Sequence, residues 1–463
     1  MHRSLFLAAC LAVSFCLPAR AADGAPDPSF GDGGRAFVTP DDVEARTLYP
    51  YASAVLPDGK LLFGGFRGQF NPKLPWELKL RAMLARMNAD GSVDTSFGNT
   101  SIPGVVVLPD LVPNTRIQSI QSMYRLEDGS ILAAGTAVAE APATGFVLKL
   151  HADGSFDTGF GTQGKTVLPY TEFDALAVDS QGRIVVAGTN VEDFGRTIAT
   201  VVRLLPDGSF DAGFGDAGVR AIDWDDATHA GSLDDVALTA DDRIVVGGRY
   251  STGGPNSDFA IARLAADGRF DTSFAERGWR SFNDTGAASP RNGVERLALA
   301  ADGSIVFAGQ YTNAAGRAAL VLGRLAADGA TDAGFGDTAS PGYLKPAILS
   351  DAFGVDATDL LIQPDGKPVV AVTYFAEQTK KQFFVLRAGA DGRLDTGFAD
   401  GGLLIADLAP DGAGSETGCL VQQPDGRLVV AGRAERSDPL GDLAVLRLLG
   451  DAPTDRVFAD GFD

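Results

Sequence analysis

A unit of about 60 residues recurs along this chain, and such units are stable only when each buries a face against its neighbours. Its most regular part is a basic residue, an aspartate eight positions later and a phenylalanine three beyond that. The copies are Arg86, Asp94, Phe97; Lys149, Asp157, Phe160; Arg203, Asp211, Phe214; Arg263, Asp271, Phe274; Arg324, Asp332, Phe335; Arg387, Asp395, Phe398; and Arg447, Asp455, Phe458. A second marker precedes each copy, as in "LPDGKLLFGG", "LEDGSILAAG" and "AADGSIVFAG". An Asp-Gly turn between runs of Val, Ile and Leu is a hairpin signal.

One unit reads as four strands. In the fourth copy they are "DDVALTA" (234–240), "RIVVGGRY" (243–250), "DFAIARLA" (258–265) and "GWRSFN" (278–283). Short connections make the unit an antiparallel meander. Four-stranded meanders repeated radially build an all-β propeller, whereas solenoid coils usually run shorter than this unit. The chain from residue 22 opens with "DPSFGDGGRAFVTP", a fourth strand with no first three, and closes just where a fourth strand is due. The expectation is therefore one domain over 22–463, a seven-bladed β-propeller of four-stranded blades, closed by the N-terminal strand completing the last blade.

The strand-turn "QPDGRLVVAG" (423–432) and "FDTSF" (270–274) resemble the delta-60 repeat family of bacterial proteins. The resemblance covers nearly all of the chain beyond residue 21. It implies a secreted β-propeller-like protein of unassigned activity. Departures are Asp242 in place of a turn glycine, Val372 in place of the last marker glycine, and alanine after Phe274 and Phe398. They imply strain or altered turns in those blades.

The start, "MHRSLFLAACLAVSFCLPARAAD", has a basic end, a short apolar run and Ala19-Arg20-Ala21, which reads as an export signal over 1–21. "LAAC" ending at Cys10 is like a lipoprotein box, but the apolar segment before it is too short. Export places the protein in the periplasm or outside the cell and removes Cys10 and Cys16, leaving Cys419 alone without a disulfide partner. Losing Arg3 and Arg20 leaves 37 basic against 60 acidic residues, a net charge of -23. Such a surface repels nucleic acid and anionic membranes. No later segment is apolar for long enough to be a transmembrane span.

Chemical motifs are sparse. "GFGTQG" (159–164) is a G-x-G-x-x-G, but it lies in a turn between strands and no helix follows to meet a phosphate, so its glycines serve the turn. "NADGSVD" (88–94) resembles half a calcium loop through Asn88, Asp90 and Asp94, yet other copies lack the first donor. There the aspartate reads instead as a planar partner of the basic residue eight positions back. His151 and His229 are the only histidines after residue 21, and no G-x-S-x-G is present. Cys419 falls on an inner strand, as a small buried hydrophobe.

What varies between copies is the set of long loops on one face, where repeat proteins usually carry function. Trp224, His229, Tyr250, Tyr311 and Tyr374 stand in or beside them and are the ligand-face candidates. At one position of the first strand, consecutive copies carry acids, Asp174, Asp234 and Glu295, where the others have Tyr51, Gln121, Thr358 and Gly418. Converging there, the acids would hold a cation such as calcium; otherwise no cofactor is expected. The leading expectation is a noncatalytic exported module binding a glycan, a peptide or an envelope partner. The alternative is a propeller hydrolase or oxidoreductase with a metal at the channel mouth. The terminal "FADGFD" also looks like short tails of exported proteins, although its Asp455 and Phe458 keep the repeat register.

Overall fold

In the computed structural model the four strands expected of the fourth copy are Gly231–Leu238, Ile244–Gly253, Asn256–Leu264 and Trp279–Phe282, paired antiparallel in that order. The structure describes residues 23–450 apart from 41–44, 72–73, 99–100, 140–142, 192–195, 223, 225–229, 254–255, 284–286, 288–289, 351, 376–379, 410–411 and 436–440. The export signal over 1–21, His229, Asp455 and Phe458 lie outside the described residues.

The same meander recurs seven times. Four copies are separate four-stranded sheets, and the last, first and second blades are joined through the single parallel bridges Thr47↔Gly441 and Leu80↔Ile117. The first strands of the blades, Ala45–Val55, Ile117–Arg125, Thr171–Val178, Gly231–Leu238, Gly293–Leu299, Gly354–Ile362 and Ser415–Gln422, are the inner ones. Each lies beside the next, and Ser415–Gln422 lies beside Ala45–Val55. Apolar clusters sit between adjacent blades, so the core is a set of inter-blade layers.

Local chemistry accounts for the turns. Gly161 and Gly164 of the G-x-G-x-x-G take positive φ, and a Cβ on Gly161 would meet the Lys165 carbonyl at 2.4 Å. Where Asp242 replaces the turn glycine it still takes φ 60°, and its carboxylate accepts from the Ser180 backbone N–H at 2.9 Å in the preceding blade. Ala275 and Ala399 likewise hold φ 49° and 44°, left-handed backbone that costs a side-chain-bearing residue about 1 kcal/mol or more.

The recurring triplet is an inter-blade clasp. Its phenylalanines Phe97, Phe160, Phe214, Phe274, Phe335 and Phe398 are all buried. Nε of Arg86, Arg203, Arg263, Arg324 and Arg387 donates to the triplet aspartate at 2.7–2.9 Å. The other edge of the fork reaches the next blade: Arg86 donates to the Ala152 carbonyl at 2.8 Å and Arg324 to that of Ala390 at 2.7 Å, with Arg203 and Arg263 bound alike to Ala266 and Ala327. Lys149 has no fork and makes only its 3.2 Å ion pair with Asp157. Replacing Arg263 with Ala removes bonds to both partners and the stacking on Phe274, and is expected to lower the unfolding free energy by about 1–3 kcal/mol in denaturant titration. Arg263→Lys should recover only part of it.

At the seventh copy the expected aspartate, Asp455, lies outside the described residues, and Arg447 is met by a segment from the other end of the chain. Its Nε donates to Asp27 at 2.9 Å, its NH2 to Ser29 at 3.1 Å, its NH1 to the Ala89 carbonyl at 2.6 Å, and its guanidinium lies 4.5 Å from the Phe30 ring centre. The segment carrying Asp27 and Phe30 continues into the strand Arg35–Val38, which pairs antiparallel with Gly441–Leu448. That segment therefore supplies aspartate, phenylalanine and fourth strand together.

Candidate functional site

Every inner strand carries a β-bulge at the same repeat position. Its extra residue is Tyr51, Gln121, Asp174, Asp234, Glu295, Thr358 or Gly418, the very position at which the acids were singled out. A bulge leaves one residue outside the ladder and re-aims its side chain. Two residues earlier stand Tyr49, Ser119, Glu172, Ser232, Gly293, Asp356 and Glu416. On the neighbouring strand, the residue after the marker glycine is Phe66, Thr136, Thr189, Arg249, Gln310, Thr373 or Arg433.

These three positions build a cavity of about 410 Å³ at the end of the inner strands that carries the long loops. Tyr49, Tyr51 and Phe66 form one wall; Asp234, Glu295, Asp356 and Glu416 supply carboxylates; Arg296, Lys381 and Arg433 supply cations. Tyr49 and Tyr51 have ring centres 4.8 Å apart, and Phe66 stacks on Tyr49 at 5.7 Å. The Tyr49 hydroxyl donates to the Thr417 carbonyl at 2.8 Å, which holds its ring in place. Burial, with Glu416 nearby, pushes the Tyr51 phenol up to about 12, so it is a neutral hydroxyl at any working pH.

Most of the acids are already engaged. Lys381 Nζ donates to Glu416 at 2.8 Å, with Arg433 3.6 Å away. Glu295 accepts from Arg249 at 3.2 Å and from the Ala357 backbone N–H at 2.8 Å. Burial pushes Glu295 up to about 8, against the pull of Arg249. Below them, Asp235 and Asp359 flank Arg296; each accepts from backbone N–H groups, including one in the next blade, Leu297 and Leu420 at 2.7 Å. Burial pushes both up to about 6, Arg296 opposing it, while burial of Arg296 is outweighed by the two acids, which keep it charged.

The acids singled out in sequence do come to adjacent inner strands. Asp174 is pushed up to about 7 by burial first, then by Asp234 and Glu172. Asp234 is 3.9 Å from Arg249, which also bonds Glu295, so a guanidinium lies between those two acids. Among the described residues no three His, Cys, Asp or Glu side chains are placed to hold a metal ion. In "NADGSVD", Asp90 accepts from Ser92, and Asp94 is bound by Arg86 and Lys60.

The aromatic candidates take other places. Trp224, Tyr250 and Tyr311 are buried, at 2%, 8% and 8% exposure, and Trp224 packs edge-on against Trp279 at 5.3 Å. Large rings at loop roots bury more area between blades than in solvent. Tyr374 is half-buried against Phe384. Cys419 is buried, and burial pushes its thiol further from reactivity.

Tyr49, Phe66, Asp356, Lys381, Glu416 and Arg433 were missed in the sequence, although one signal pointed to the sixth blade. At the marker glycines Gly65, Gly135, Gly188, Gly248, Gly309 and Gly432, a Cβ would lie 1.9–2.0 Å from the carbonyl oxygen of Tyr49, Ser119, Glu172, Ser232, Gly293 or Glu416. Val372 replaces that glycine and pairs with Ala357, with the bulge kept at Thr358.

Seven segments, 80–97, 126–160, 180–214, 239–274, 300–335, 363–398 and 423–451, match the family profile described as "Domain of unknown function (DUF5122) beta-propeller". No curated protein matches the chain. Among solved structures, a protein of unknown function from Dyadobacter fermentans aligns at 12% identity and TM-score 0.47, covering 92% of this chain and 100% of that one. The polysaccharide lyase Uly1 aligns at 11% identity and TM-score 0.46, covering 87% and 90%. The β-propeller domain of the Trilobed protease from Pyrococcus furiosus aligns at 11% and 0.42, covering 89% and 99%.

Proposed function

From a chain that is a β-propeller repeat protein with seven DUF5122 segments, we propose an exported, noncatalytic module that binds a glycan at the mouth built by Tyr49, Tyr51 and Phe66. The carrying observation is the cavity of about 410 Å³ with an aromatic wall facing carboxylates and cations. Its volume falls in the usual range for small-ligand sites, roughly 300–1,000 Å³. Aromatic faces stack on the C–H faces of sugar rings, while the Asp356 carboxylate and the Thr358 hydroxyl oxygen offer acceptors to sugar hydroxyls. Export rests on the basic and apolar start of the sequence, and no helix among the described residues is long and apolar enough to cross a membrane.

The test is a glycan array followed by calorimetry, with each bound sugar also incubated and its products analysed. Binding without turnover is expected, and Tyr51→Ala should weaken it by roughly tenfold or more, with circular dichroism checking that the variant remains folded. Turnover would move the protein to the enzyme alternative. Retention of a peptide or an envelope protein, with no sugar bound, would replace the glycan.

A further inference from the structure

Acidic side chains outnumber cationic ones at the mouth, and the surplus has a location. Glu172, Asp174, Asp234, Asp235, Glu295, Asp356, Asp359 and Glu416 are eight acids around the channel among the described residues, against Arg249, Arg296, Lys381 and Arg433, four cations. Lys381 and Arg433 serve Glu416, Arg249 serves Glu295, and Arg296 lies with Asp235 and Asp359. Among the described residues Asp356 lines the cavity with no hydrogen-bond donor and no ion pair, Arg249 and Lys381 reaching it only as longer-range charges. Asp234 Oδ2 is enclosed, with no hydrogen bond and only the 3.9 Å approach of Arg249.

The neighbours of Asp356 suit an organic cation better than a metal. A hard divalent ion wants six or more oxygens, and no three acids here converge as ligands among the described residues. An ammonium needs one carboxylate and gains from the face of an aromatic ring. Tyr49, whose phenol lies within the electrostatic reach of Asp356, belongs to the aromatic wall with Tyr51 and Phe66.

Resting on the glycan reading above, we infer that the ligand is an amino sugar whose free ammonium is held between the Asp356 carboxylate and the Tyr49, Tyr51 and Phe66 wall. In this blade alone Val372 replaces the marker glycine. The remaining aromatic surface takes the sugar ring, and Asp234 receives a hydroxyl.

The experiment compares a glucosamine pentamer, its N-acetylated counterpart and cellopentaose by calorimetry at neutral pH, on the wild type and on Asp356→Asn. The amine form is expected to bind roughly tenfold tighter than either neutral sugar, with that preference falling at high salt. Asp356→Asn should abolish the preference, with a smaller loss of affinity for cellopentaose than for the amine form. Equal affinity for the three sugars, or a preference that survives Asp356→Asn, overturns the amine inference and leaves the glycan reading standing. Binding of none of the three removes both, and calcium binding at millimolar concentration that displaces the pentamer would assign the carboxylates to a metal instead.

Discussion

Phe30→Ala is expected to lower the unfolding free energy by about 3–5 kcal/mol, whereas Phe458→Ala changes it by less than about 0.5 kcal/mol. Both phenylalanines fit the repeat register around Arg447, but Phe30 is fully buried under that guanidinium and packs with Leu443 and Val445. Truncating it leaves a cavity in the layer between the last and first blades. Asp27→Asn should follow the same pattern against Asp455→Asn, since Asp27 accepts from Arg447 and pairs with Arg427 at 2.8 Å. Deleting Asp27 to Pro40 removes the strand paired with Gly441–Leu448. If closure of the propeller runs through that strand, the entire cooperative transition drops, rather than one end fraying. Chemical denaturation of the four single variants and the deletion decides it: equal losses from Phe30→Ala and Phe458→Ala would mean that the tail shares the slot.

Asp174→Asn is expected to stabilise the protein at pH 8, by on the order of 2–4 kcal/mol, and to leave it nearly unchanged at pH 4. Asp174 sits at a bulge with its pKa pushed up to about 7, by burial first and then by Asp234 and Glu172. The folded state thus holds this proton more tightly than the unfolded chain does. Its contribution to stability is fully present below about pH 4 and is lost as pH rises through 7. Asparagine has the shape of the protonated acid and no charge to desolvate, so the variant should lack this loss. Melting curves across the interval give the test; parallel wild-type and Asp174→Asn slopes would show that the carboxylate is solvated at no cost.

Four strands per unit, the positive-φ turns and the buried triplet phenylalanine were all legible in the sequence. They depend on contacts within a unit or between identical neighbours, and repetition prints them seven times. The bulge position was legible too, as the column holding Asp174, Asp234 and Glu295, though not as a bulge, because an extra residue in a ladder shows only once strands are paired. The tertiary structure alone showed that Asp27, 420 residues away in sequence, accepts from Arg447. It also decided that Trp224, Tyr250 and Tyr311 pack between blades and that Tyr49, Tyr51 and Phe66 face the cavity. Both sets are aromatics near strand ends, and only the angle between neighbouring blades separates them. The same holds for the acids: Glu416 and Glu295 make ion pairs with cations on other strands or blades, whereas Asp356 feels Arg249 and Lys381 only at longer range, a difference set by distances across the channel.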